Sequence, residues 1–256
     1  VYITDNSINL TVYKFNIASK NVENLGISPN PPFSGPKDIA VDFKGNVYIY
    51  DGGAIGGDIF GNGNDMFRKI DKDGNVTDFG KLIKPNDIIP PIMIRVDAKG
   101  NVYAIDSNSL YMINPTTYIA KQIPIEFKYN TYLMDVDNAG HVYLTDCIYP
   151  SSDNFSFYKI NISNGETIKK IETKLPSDNS ILGEMKVDTL GENLYFSFYE
   201  DNIVYKVNFN SLEINTLATL NDSINSLSTD ENKNVYASSH SYIYKIDPSG
   251  NWKKIY

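Results

Sequence analysis

Apolar and polar positions alternate in runs of about five residues, each bounded by Gly, Asn or Asp, which predicts short β-strands from end to end and leaves little room for helix. The clearest unit runs Asp38-Ile39-Ala40-Val41-Asp42, then Phe43-Lys44-Gly45-Asn46, then Val47-Tyr48-Ile49-Tyr50-Asp51. Two strands joined by a tight turn are expected here. An Asp that opens the turn can bond backbone amides, Gly45 supplies a positive φ, and Asn46 tolerates the left-handed region. The same turn is read at Asp97 to Asn101, Asp137 to His141, Asp188 to Asn193 and Asp230 to Asn234, where Lys233 takes the glycine place and bears strain. A third strand ends in a motif that returns as Tyr13-Lys14-Phe15-Asn16, Arg68-Lys69-Ile70-Asp71, Tyr111-Met112-Ile113-Asn114, Tyr158-Lys159-Ile160-Asn161, Tyr205-Lys206-Val207-Asn208 and Tyr244-Lys245-Ile246-Asp247. A second Asn/Asp-Gly turn, as at Asp71 to Asn75 and Asp247 to Asn251, leads to a fourth strand.

Each unit is thus a four-stranded antiparallel meander, with strands A to D. Six B strands begin at Val1, Val47, Val102, Val142, Leu194 and Val235, and six C strands end in the repeated motif. Self-similarity at this period marks a repeat architecture whose units bury their apolar faces by stacking on one another. The expected fold is all-β: a single six-bladed β-propeller over residues 1–256, with blades at approximately 1–32, 33–84, 85–128, 129–176, 177–221 and 222–256. A β-solenoid fits less well, because its coils are shorter and do not reverse in Asn/Gly hairpins. Nothing precedes the strand at Val1, so blade one lacks its inner strand A. The expectation is that upstream residues supply it; donation by another copy, a homo-assembly, is the alternative.

Composition narrows the partners. With 23 basic and 31 acidic residues the net charge is -8, which argues against a nucleic-acid backbone. No run approaches the ~18 apolar residues a membrane span needs. Cys147 is the only cysteine, so no intramolecular disulfide or Cys-rich zinc site is possible. Sequons at Asn9, Asn75, Asn154, Asn161 and Asn221 permit an extracellular or cell-surface location.

The stretch from Pro36 to Asp51 resembles the NHL repeat, and equally the blades of the SMP-30/gluconolactonase-like and streptogramin-lyase-like propellers. The likeness spans the chain but consists of scaffold residues, so it implies a fold more than a chemistry. In the lactonase branch it implies a metal near the channel mouth, held in part from positions five residues before the turn Asp. Those positions are Lys37, Ile92, Tyr132, Gly183 and Asn225, of which only Asn225 offers a hard oxygen ligand, so that site is expected to be lost. The lyase branch implies a histidine base. Of the two histidines, His141 falls in an A–B turn at the opposite end, whereas His240 falls in a B–C loop on the working face.

The loops joining D to A and B to C share one face, where a rigid scaffold presents variable residues. The longest, Asp51 to Asp65, ends in Gly61-Asn62-Gly63-Asn64-Asp65, which looks like one calcium-binding repeat of the RTX type. Its candidate Ca2+ ligands are Asp58, Asn62, Asn64 and Asp65; a flexible Gly-rich loop is the plainer reading. Phe60, Tyr132, Tyr149, Phe155 and Tyr199 form a candidate aromatic rim for sugar or peptide, joined by His240. At the channel mouth stand Lys37, Asp38, Glu184 and Asn225. Asp38 and Glu184 either make the mouth acidic or pair with Lys37 and Lys186 in a surface network. The function expected is a non-catalytic module binding protein or glycan, with a metal-dependent lactonase or hydrolase as the enzymatic alternative and a structural subunit of a surface assembly as a third.

Overall fold

The carboxylate that opens each A–B turn organises the chain around itself. In the computed structural model, which describes residues 2–5, 11–15, 19, 21–25, 36–52, 65–80, 93–105, 109–114, 116–117, 119–125, 131–147, 154–163, 165–174 and 182–255, Asp42 Oδ1 accepts the amides of Lys44 and Asn46, both at 2.9 Å. Its Oδ2 accepts Asn46 Nδ2 at 2.7 Å and the Tyr48 hydroxyl at 3.2 Å. The same set recurs with Asn101 and Tyr103 around Asp97, and with Asn234 and Tyr236 around Asp230. At Asp137 an imidazole replaces the amide, and His141 Nδ1 lies 2.9 Å from Oδ2. The glycines of four of these turns have φ of 83°, 85°, 89° and 68°, and Lys233 adopts the same left-handed conformation at 60°, as expected from its place in the repeat.

These turns join strands into antiparallel meanders. In the compact unit Val1–Ile125, a three-stranded sheet is formed by β1 (Tyr2–Asp5), β2 (Thr11–Phe15) and β3 (Val22–Asn24). Two four-stranded sheets follow. One is β4 (Pro36–Val41), β5 (Val47–Gly52), β6 (Asp65–Ile70) and β7 (Val76–Gly80); the other is β8 (Met93–Val96), β9 (Val102–Ile105), β10 (Leu110–Ile113) and β11 (Ala120–Ile123). Val12, Val47, Ile49 and Ile70 fill the space between the first two sheets. Tyr48, Tyr50, Phe67, Ile94, Val102 and Ala104 fill that between the second and third. Asp38 bolts the same junction, its Oδ2 accepting the Ile94 amide at 2.6 Å and Arg95 Nη1 at 3.1 Å.

The second compact unit, Glu126–Tyr256, repeats the plan. Its sheets are β12 (Thr131–Val136), β13 (Val142–Cys147), β14 (Asn154–Asn161) and β15 (Glu166–Lys174); β16 (Leu182–Val187), β17 (Asn193–Phe198), β18 (Ile203–Asn208) and β19 (Glu213–Thr219); and β20 (Ser226–Thr229), β21 (Val235–Ser238), β22 (Ile243–Ile246) and β23 (Trp252–Lys254). First strands lie side by side, β12 by β16 and β16 by β20. They are tied by the Val187 amide donating to Asp135 Oδ2 at 2.7 Å and by Thr229 Oγ1 donating to Val187 O at 3.1 Å. Second strands are buried on both faces, as β9 and β17 show at every position, whereas fourth strands such as β11 and β19 are mostly exposed. Each fully buried aliphatic or Phe side chain in these junctions stabilises the stack by about 1.5–3 kcal/mol. All described regular elements are strands, and among the described residues no helix is long and apolar enough to cross a membrane.

The lysine of the repeated motif has a cross-strand task. Tyr48 pairs with Lys69, Tyr143 with Lys159 and Tyr236 with Lys245. The ammonium groups stand 5.8, 5.2 and 5.5 Å from the respective ring centroids. Each of these tyrosines therefore carries a cation over its ring and a carboxylate at its hydroxyl.

The turn at Asp188 is one residue longer. Its carboxylate takes the amides of Glu192 and Asn193 and Asn193 Nδ2, and the buried Tyr195 hydroxyl finds no hydrogen-bond partner among the described residues. Tyr195→Phe is therefore expected to leave stability unchanged or raise it. Tyr143 differs, because its hydroxyl shares one proton between Asp137 Oδ2 at 3.0 Å and Gly191 O at 2.9 Å. Tyr143→Phe is expected to lose about 1–3 kcal/mol, and urea unfolding of the two variants measures the contrast. A Cβ on Gly191 would overlap the Asp137 carboxylate and the Tyr143 hydroxyl, at a φ of 68°. Gly191→Ala should cost about 2–4 kcal/mol in the same assay.

Candidate binding site

The segment Leu220-Asn221-Asp222-Ser223-Ile224 joins β19 to β20, and its two apolar ends are driven into the core between the last two sheets. Leu220 and Ile224 are each 3% exposed there, which holds the three polar residues between them up to solvent. Backbone bonds fix the segment on both sides. Leu220 N–H donates to Asn202 O at 2.8 Å and Asn202 Nδ2 returns a bond to Leu220 O at 2.7 Å. Ile224 N–H donates to Asp201 O at 2.8 Å and Ser223 Oγ to Glu200 O at 3.1 Å. On the other flank Asn225 N–H donates to Ser238 O at 2.8 Å.

The turn Ser239-His240-Ser241-Tyr242 between β21 and β22 forms the facing wall. Ser239 Oγ accepts the amides of Ser241 at 3.3 Å and Tyr242 at 3.0 Å, and Ser239 N–H closes the turn onto Tyr242 O at 2.8 Å. Between segment and turn lies a polar cleft of about 370 Å³, lined by Asn221, Asp222, Asn225, His240 and neighbouring serines. The side-chain amides of Asn221 and Asn225 and the His240 ring make no hydrogen bond to the described residues, so these groups are open to a ligand.

One wall is charged. The buried Tyr244 donates its hydroxyl to Asp222 Oδ2, and Lys254 Nζ stands 3.4 Å from the same oxygen. The Tyr244 hydrogen bond, assisted by the Lys254 charge, holds the Asp222 carboxyl below the usual carboxylate range. Burial and the same hydrogen bond push the Tyr244 phenol up. Burial works against the Lys254 ammonium, but bonding to Tyr244 and Asp222 outweighs it and raises the Lys254 pKa.

Three residues singled out from the sequence are brought onto this loop cluster. His240 and Asn225 line the cleft, and Tyr199, 64% exposed, lies on the turn whose Glu200 and Asp201 carbonyls hold the cleft wall. Phe155 is a correction. It belongs to β14 rather than to an exposed rim, is 3% exposed, and meets Phe157, Phe196 and Phe198 edge-on at 5.0, 5.8 and 5.9 Å. The strand starts one residue before it, so period-2 alternation turns its ring into the junction with the next sheet. Asp38 accepts the Ile94 amide and pairs with Arg95, and Glu184 lies 3.8 Å from Lys186, the surface-network alternative. Lys37, Tyr132 and Asp65 lie in β4, β12 and β6, with their side chains outside the described set. Phe60, Tyr149, Asp58, Asn62 and Asn64 fall outside the described residues. Among the described residues no three His, Cys, Asp or Glu side chains gather as a metal-binding group.

Asp222, Tyr242, Tyr244 and Lys254 were not anticipated as site residues. The polar triplet between two apolar residues was a readable signal for Asp222, but only sheet topology brings Lys254 from the last strand to it.

No protein-family model and no curated protein matches the sequence. Stacked four-stranded meanders of this kind define a β-propeller fold, and solved structures bear that out. Virginiamycin B lyase from Staphylococcus aureus is similar at 17% identity and a TM-score of 0.60, over 87% of this chain and 70% of that one. Kuenenia stuttgartiensis hydrazine synthase is similar at 14% identity and a TM-score of 0.69, over 96% and 72%. A nidogen/laminin complex is similar at 13% identity and a TM-score of 0.65, over 100% and 91%. At these identities the likeness is one of fold.

Linkage gives the pH behaviour of the charged wall. The folded Asp222 pKa is depressed below its unfolded value of about 3.9, so its contribution is present above that pH and is lost as pH falls through the folded pKa. Asp222→Asn should therefore be less stable than the parent near neutrality, with the gap closing on acidification. Urea midpoints measured across the acid range check it.

Proposed function

We propose that the chain is a six-bladed, NHL-like propeller forming a single domain over residues 1–256 and acting as a non-catalytic binding module, at or outside the cell surface, for a protein or glycan. The observation that carries this reading is the cleft between the β19–β20 and β21–β22 loops, where Asn221, Asn225 and His240 present unengaged hydrogen-bonding groups on a rigid frame. A similar solved structure that is itself a complex of two proteins, nidogen and laminin, supports a protein partner. The sequons support the location.

Catalysis draws less support from the cleft. It holds Ser, His and Asp side chains together, but His240 bonds to neither Asp222 nor a serine, so no activated nucleophile is assembled. The lactonase alternative finds only Asn225 at its metal positions with an oxygen donor. Calcium remains part of the reading at Asp58, Asn62, Asn64 and Asp65, supported by the spacing of oxygen donors in that loop. Homo-assembly is the structural variant of the same proposal, supported by a first sheet that has three strands among the described residues where the others have four.

The test is retention of the purified chain on a glycan panel and a panel of secreted proteins. Replacing Tyr199, Asn225 and His240 together by Ala should weaken any captured ligand at least about tenfold, with the urea midpoint unchanged. Undiminished capture by the triple variant, or calcium-dependent lactone turnover, would overturn the reading.

A further inference from the structure

Lys254 is set apart from the other lysines that lie over tyrosines. In the repeated cross-strand pairs the ammonium stands 5.2–5.8 Å from one ring centroid. Lys254 Nζ sits 3.4 Å from the centroid of Tyr242 and 5.4 Å from that of Tyr244. It is also 3.4 Å from Asp222 Oδ2, the oxygen that takes the Tyr244 hydroxyl. Two aromatic faces and one carboxylate around a single ammonium are the composition of a cation-binding cage. Its position matters too, because Asp222 is also a wall of the cleft and Tyr242 follows directly on the cleft residue Ser241.

The geometry points to an ammonium-binding subsite, built from Tyr242, Tyr244 and Asp222 at the edge of the cleft, which Lys254 of the same chain fills as a tethered surrogate for a ligand's primary ammonium. This rests on the reading of the loop face as a binding surface and names the chemistry it selects. A primary ammonium is favoured over a quaternary one because Asp222 accepts an N–H hydrogen bond, which a quaternary ion cannot donate. Lys254 and its carboxylate partner are each 37% exposed, so the surrogate can leave without unfolding the sheet. While it stays, tethering gives it an advantage over a free ligand in dilute solution. The ligand class that fits is one presenting an alkylammonium, such as a lysine side chain, beside groups that bond the Asn and His side chains of the cleft. The net charge of -8 favours the approach of such a ligand.

Trp252 supplies a reporter. It is the only tryptophan, and its ring meets Tyr244 edge-on with centroids 5.3 Å apart. The experiment titrates Lys254→Ala with n-butylammonium chloride, following Trp252 emission and the thermal midpoint against sodium chloride at matched ionic strength. A saturable emission change is expected, with most of the lost thermal stability restored. The parent chain should need at least about tenfold more n-butylammonium for the same change, since Lys254 competes. Lys254→Ala/Asp222→Asn should not respond. Lys254→Gln, which keeps most of the side-chain stem, serves as a second background for the same titration. No saturable response in either background, or one that sodium chloride reproduces, would overturn the cage. An equal response to tetramethylammonium would overturn the assignment to primary ammonium. If the cage fails while the Tyr199, Asn225 and His240 substitutions still abolish capture, the binding reading survives without this subsite.

Discussion

A carboxylate taken out of water at the end of a strand must be supplied with donors, and the local sequence supplies them. In Asp42-Phe43-Lys44-Gly45-Asn46-Val47-Tyr48 the turn's own amides, the Asn side chain and the Tyr hydroxyl of the next strand all converge on one Asp. Leaving such a group unpaired costs several kcal/mol, so satisfying it fixes the turn, the register of the two strands it joins and the face on which the tyrosine lies. The lysine of the third strand then settles over that tyrosine. A single electrostatic requirement thus propagates across three strands of a sheet, and the full arrangement recurs at Asp137 and Asp230.

That local logic explains what was legible in the sequence. Turns, strand order and the left-handed Lys233 all follow from residues within a few positions of one another. The failures involve distance along the chain. Phe155 looked like a loop aromatic because nothing near it marks the onset of β14, whereas its burial is decided by Phe196 and Phe198 of the next sheet. The donors to Asp38 were equally out of reach, because the Ile94 amide and the Arg95 guanidinium stand on an adjacent first strand, 56 and 57 positions along the chain. The charged wall of the cleft is the extreme case, with Asp222 and Lys254 separated by 32 residues.

The cleft also shows how the scaffold and the site divide the work. Its frame is made mainly by backbone bonds to Asn202, Asp201 and Ser238, supplemented by the Asn202 and Ser223 side chains. Its chemistry is carried by side chains that make few internal bonds. The exception is Asp222, held by Tyr244 and Lys254, so the one group with a fixed charge is also the one with a fixed position.

The anchoring of Leu220 and Ile224 has an evolutionary corollary. Two buried hydrocarbons at a spacing of four hold the segment by its ends, and the Asn-Asp-Ser triplet between them contributes little to the core. Within the triplet Asp222 and Ser223 are tied to Tyr244, Lys254 and Glu200 O, whereas the Asn221 side chain makes no hydrogen bond among the described residues and is the exchangeable position. Specificity at this surface can drift by single substitutions at such unbonded positions without passing through unstable intermediates, so that nearly identical frames can carry unrelated ligands.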